Sequence, residues 1–71
     1  MTRQFDVVKQ FKAAKSISGA EREFQPGESF VCDMGQRGTT IAIEFEMSFF
    51  IIDRSILETC CRRSNEGSAF Y

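Results

Sequence analysis

The stretch from Thr39 to Cys61, TTIAIEFEMSFFIIDRSILETCC, constrains the fold more than any other part of the chain. Ile41, Ile43 and Phe45 alternate with Ala42, Glu44 and Glu46, a period of two that puts apolar groups on one strand face and carboxylates on the other. Met47 and Ser48 permit a tight reversal, and Phe49-Phe50-Ile51-Ile52 then runs back as a second strand. Four consecutive apolar residues do not make an ordinary half-solvated strand. Either both faces are covered within the subunit or one face meets another molecule. After Asp53 the pattern changes, because Ser55 and Glu58 are spaced as a helical capping box. A short helix is expected over Ser55–Arg63. It places Ile56, Leu57, Cys60 and Cys61 on its apolar face and Arg62 and Arg63 at its carbonyl end.

The rest of the chain reads as short strands joined by turns. Residues 4–15 fit helical spacing through Phe5, Val8 and Lys12, and strand spacing through Phe11, Ala13, Lys15 and Ile17. Because Ser16-Ile17-Ser18 is poor helix material, the preferred reading is a frayed start and a strand from Phe11 to Ile17. Ser18-Gly19-Ala20 is a turn, and Glu21 to Phe24 reads as an irregular connection. Gln25-Pro26-Gly27-Glu28 predicts a type II turn, since proline presets φ at the second position and glycine accepts positive φ at the third. A strand over Ser29–Met34 follows, with Phe30 and Cys32 on one face and Val31 and Asp33 on the other. Gly35-Gln36-Arg37-Gly38 turns the chain back; it lacks the lysine and following helix of a phosphate-binding loop.

With 71 residues the chain makes one domain, its two ends (1–9 and 65–71) being the parts expected to fray. A chain of this size buries only about 60% of its unfolded surface, so its stability margin is small. Eight phenylalanines exceed what one small core needs, which points to an oligomer or a partner-binding surface. The three cysteines, Cys32, Cys60 and Cys61, are odd in number and without CxxC spacing, so they are expected to be reduced and the chain cytoplasmic. No run approaches membrane-spanning length, so no membrane association is expected.

Catalysis is the function class that the composition weakens most. There is no histidine, hence no imidazole base, charge-relay partner or imidazole metal ligand. Glu44 and Glu46 share a strand face, but a charged solvated face accounts for them. No catalytic, metal or cofactor residue is assigned, and no small-molecule substrate is expected. The net charge is −1, from nine basic and ten acidic residues. It is unevenly spread: residues 1–20 carry Arg3, Lys9, Lys12 and Lys15 against Asp6, while Glu21, Glu23, Glu28, Asp33, Glu44 and Glu46 form an acidic belt. Lys9, Phe11, Lys12 and Lys15, with Arg62 and Arg63, are the candidates for a localised nucleic-acid patch, in which basic residues track phosphates and an aromatic stacks a base. The acidic belt offers the converse, a surface that occupies a basic groove on a partner.

The order strand, turn, Pro-Gly-Glu, strand, glycine turn, hairpin, helix resembles small SH3-like β-barrels, among them short accessory proteins of phages, plasmids and gene cassettes. Phe11-Lys12-Ala13, Phe24-Gln25-Pro26-Gly27-Glu28-Ser29-Phe30-Val31 and Thr40 through Ser55 carry the resemblance. It implies a mainly β fold, a small barrel or strongly bent antiparallel sheet with a short C-terminal helix. The chain lacks tryptophan and its one tyrosine is its last residue, so the aromatic groove of an SH3 ligand site is not implied. The expected core is Phe11, Phe24, Phe30, Cys32, Ile41, Ile43, Phe45, Phe50, Ile52, Leu57 and Cys60. The expected function is non-enzymatic protein binding with self-association through the apolar strand, at Met47, Phe49, Ile51, Phe70 and Tyr71. Nucleic-acid binding is the alternative.

Overall fold

A computed structural model describes residues 1–64; Phe70 and Tyr71 lie outside the described residues. The fold is mainly β. Its elements are β1 (Thr2–Val7), β2 (Phe11–Lys15), β3 (Glu21–Phe24), β4 (Ser29–Asp33), β5 (Thr40–Phe45), β6 (Ser48–Asp53), α1 (Arg54–Thr59) and β7 (Cys61–Arg63). The strands form one antiparallel, unclosed sheet in the order β3-β2-β6-β5-β4-β1-β7, with β3 and β7 at its edges.

Local turn chemistry shapes two of the connections, while pairing of distant segments, β2 with β6 and β1 with β4 and β7, sets the order of the strands. Gly27 has φ 99°, and the Glu28 N–H donates to the Gln25 carbonyl at 3.1 Å, as the Pro-Gly sequence predicts. The β5–β6 hairpin keeps the expected alternation but turns one residue earlier. Phe45 pairs with Ser48, so the loop is Glu46-Met47, with φ 51° and 64°. Positive φ at both positions is the type I′ geometry that suits the strand twist, here adopted without glycine. Glu46 therefore belongs to the turn and does not share the outer strand face with Glu44.

Three further strands replace expectations of disorder, loop or helix. The start is not frayed: β1 pairs with β4 and β7, burying Phe5 and Val7. Glu21–Phe24 is an edge strand, tied to β2 by four residue pairs, Phe11↔Phe24 to Ala14↔Glu21. Its single apolar side chain, Phe24, is fully buried. The helix stops at Thr59, and Cys61–Arg63 pairs with β1 because that edge still offers open hydrogen-bonding groups. Consequently Arg62 and Arg63 lie outside the helix, and Cys60 and Cys61 do not share a helical face. The capping box does not form either. Asp53 is the N-cap, without a side-chain cap, and Ser55 lies inside the helix.

The core lies on the concave inner face. Phe24 is its centre, with ring centroids 5.0 Å from Phe11, 5.2 Å from Phe45 and 5.2 Å from Phe50. Phe5 and Phe30 stack at 5.9 Å across β1 and β4. Phe5, Val7, Ala13 and Cys61 join the expected core, whereas Phe45 and Cys60 are only partly buried against it. Arg22 covers the open end. Its guanidinium lies 4.7 Å from the Phe24 centroid and 4.3 Å from that of Phe45, and it pairs with Glu28 at 2.9 Å.

Candidate interaction surface

Because side chains alternate across a strand, β6 presents one phenylalanine and one isoleucine to each face. Phe50 and Ile52 enter the core, 1% and 3% exposed, while Phe49 and Ile51 point outward, 53% and 40% exposed. Register extends this outer face sideways. Ala14 on β2 and Ala42 on β5 stand on either side of Ile51. Glu44 stands opposite Phe49, and Val31 on β4 stands opposite Glu44. The result is an apolar strip with small flanks.

At the hairpin end the strip continues past the strand. Met47 projects from the I′ turn, 92% exposed, and Ile17 projects from the turn between β2 and β3, 96% exposed. Ile17, Met47 and Phe49 line one shallow depression of about 230 Å³ together with Lys15. Ile17 was expected to point inward at the end of a strand. That strand ends at Lys15, where the Lys15 N–H bonds the Ala20 carbonyl and the chain turns. The poor helix and strand character of Ser16-Ile17-Ser18 is the signal that marks this turn.

A second depression, of about 310 Å³, lies over Ala42 between Phe49 and Val31, with Asp33, Gln36 and Glu44 at its margin. Gln36 builds part of its floor. Its amide accepts from the Ala42 N–H at 2.8 Å and donates to the Ala42 carbonyl at 2.9 Å, substituting for a neighbouring peptide group. Arg54 in turn fixes that loop, donating to the carbonyls of Gln36 at 2.7 Å and Gly38 at 2.9 Å.

The outer face is acidic. By register it carries Asp6, Glu21, Glu23, Asp33, Glu44 and Asp53 against Lys12 and Arg62. Asp6 stands opposite Arg62, Glu23 opposite Lys12, and Asp33 holds the N-terminal ammonium at 3.2 Å. Backbone donation from Gly35, then the N-terminal ammonium, hold the Asp33 carboxyl below its ordinary range. Among the described residues, Glu21, Glu44 and Asp53 have no base opposite them. Glu21 and Glu44 flank the apolar strip on either side, and Asp53 ends it on β6.

The residues expected to bind nucleic acid are not brought together. Phe11 is buried against Phe24 and has no face open to stack a base, which removes it from that set. Lys9, Lys12 and Lys15 are exposed, but Lys12 faces Glu23 across β2 and β3, and Lys15 sits at the far end of β2. Arg62 faces Asp6, while Arg63, on the other side of β7, lines a depression with Glu58. Each outer-face base meets an acid.

The cysteines are free thiols. Burial pushes Cys61 up to about 12 and raises Cys32 as well, so neither offers a thiolate near neutral pH. No group of metal-ligating side chains is found among the described residues, and no described helix is long and apolar enough to cross a membrane. In comparisons with known proteins, no family model matches the chain, and no curated protein or solved structure matches it.

Proposed function

We propose that this protein is a non-enzymatic protein-binding module, an adaptor, regulator or inhibitor that acts through the outer face of β6. One observation carries the reading. Phe49 and Ile51 stand exposed on the same strand whose other two apolar residues fill the core, and Met47 and Ile17 prolong that apolar strip across two turns. An apolar surface that the described residues leave open is typical of an interface.

The charge pattern bears on which partner fits. Glu21 lies on one flank of the strip and Glu44 on the other. A twofold arrangement that aligns the strip with that of its own copy therefore brings carboxylates to face carboxylates. A different protein suits this surface better than a second copy does. The same acids, and the scattering of the bases, weigh against nucleic acid. Affinity capture from a cell lysate, with and without nuclease, tests the reading. It predicts a specific protein retained after nuclease treatment; recovery lost with the nucleic acid would transfer the function to the exposed lysines and arginines.

A further inference from the structure

We infer that the depression beside Phe49 receives a basic side chain, best an arginine, from an apolar strand or helix of the partner. The inference rests on the protein-binding reading above and adds the partner's chemistry. Glu44 is half-buried, held between the Phe49 and Val31 side chains by register, and makes no side-chain hydrogen bond or ion pair among the described residues. Three other acids on this face have partners, Arg62 opposite Asp6, Lys12 opposite Glu23 and the terminal ammonium on Asp33, whereas Glu21 and Asp53 face Ala14 and Thr40. A carboxylate placed between apolar neighbours and left open is complementary to a cation whose stem is apolar.

Arginine matches each part of the site. Its methylenes can lie along Val31 and the small Ala42 floor, its guanidinium plane can stack on the exposed Phe49 ring, and its paired N–H groups can take Glu44 in bidentate fashion. Gln36 keeps that floor flat by occupying the backbone groups of Ala42. Glu21 repeats the chemistry on the other flank. It follows Ala14 in the row that crosses Ile51, three strand spacings from β5, roughly 14 Å away. The occupant is thus a segment with apolar residues over Ile51 and Phe49 and basic residues at its sides. A second copy with its strip aligned presents acids at those positions and does not fit.

Selection from a displayed library of random ten-residue peptides tests this, using the full chain and its Glu44→Lys and Phe49→Asp variants as baits. Wild-type bait is expected to enrich peptides that combine lysine or arginine with apolar residues. Their affinity should fall at least tenfold on Glu44→Lys and weaken as salt rises. Enrichment of peptides without basic residues, no enrichment at all, or affinity unchanged by Glu44→Lys overturns the inference. In the last case, loss of binding on Phe49→Asp leaves the surface itself standing, whereas equal binding by all three baits removes the surface too. A concentration-dependent dimer that Phe49→Asp abolishes also overturns it, because a second copy then covers the face.

Discussion

The two faces of β6 carry the same side chains under different conditions. Phe50 and Ile52 meet Phe24, Ile43 and Ile41 on the concave side, whereas Phe49 and Ile51 meet two alanines, a glutamate and water. Burial of a phenylalanine contributes in proportion to the apolar area withdrawn from water, so identical residue types differ in what they do for stability. The inner pair holds the sheet in its curved form. The outer pair, about half exposed, adds less to the isolated chain, and its exposed apolar area is available to a partner. In a chain this short, one strand serves both ends because its two faces are independent at the level of packing.

The sharpest way to break this contrast is to truncate each phenylalanine in turn. Phe50→Ala should destabilise by about 3–5 kcal/mol, a large part of the roughly 5–15 kcal/mol available to a small domain. Phe49→Ala, at a residue 53% exposed, should cost less, about 1–2 kcal/mol. Guanidinium unfolding midpoints measure both, and equal losses would mean that the outer face is covered in the free protein. Next in size is Gln36→Ala, which strips the amide from Ala42 and leaves its N–H and carbonyl seeking water. The expected loss is about 1–3 kcal/mol, and amide exchange near Ala42 and Glu44 should accelerate while that of β1 does not.

Met47→Gly sharpens the comparison in the opposite sense. A left-handed backbone costs a side-chain-bearing residue about 1–2 kcal/mol, so glycine at φ 64° should stabilise the hairpin by about 1 kcal/mol. The same change removes an exposed apolar group from the strip and should weaken partner capture. Gain in midpoint with loss of binding is the pattern expected of a residue kept for recognition. The smallest effect belongs to Glu28. Its hydrogen bond from Arg22, then the Gln25 N–H, hold its carboxyl below the ordinary range. A depressed carboxyl stabilises the fold above its ordinary unfolded pKa, and this contribution disappears as pH falls through the lower folded value. Glu28→Gln should flatten part of that acid dependence, read from unfolding midpoints across pH 2 to 6, and should leave the outer face unaffected.

The features legible in the sequence are those whose causes are local. The Pro26-Gly27 turn, the period of two in Thr40–Phe45 and the four-residue apolar run each state their geometry within a few residues. The run also disclosed Met47, Phe49 and Ile51 as surface candidates. What was not legible depends on pairing between distant segments. Cys61–Arg63 becomes a strand because β1 lies beside it with an open edge, and nothing in Cys-Arg-Arg says so. Glu21–Phe24 carries one apolar residue, which is enough for an edge strand once Phe11 and Phe50 are in place to receive Phe24. Ile17 looked like the last inward position of a strand, and only the early turn at Lys15 turns it outward. The open carboxylate of Glu44 could be read as an outward residue, but its setting between Phe49 and Val31 requires the register of three strands.

The most direct test of the account is affinity capture from nuclease-treated lysate by the Phe49→Asp chain beside wild type, quantified by mass spectrometry with both chains shown to be folded by a cooperative unfolding transition. The account predicts that a protein retained by wild type is lost from the folded variant, whose midpoint falls modestly because Asp stands opposite Glu44. Identical recoveries from both chains would contradict it.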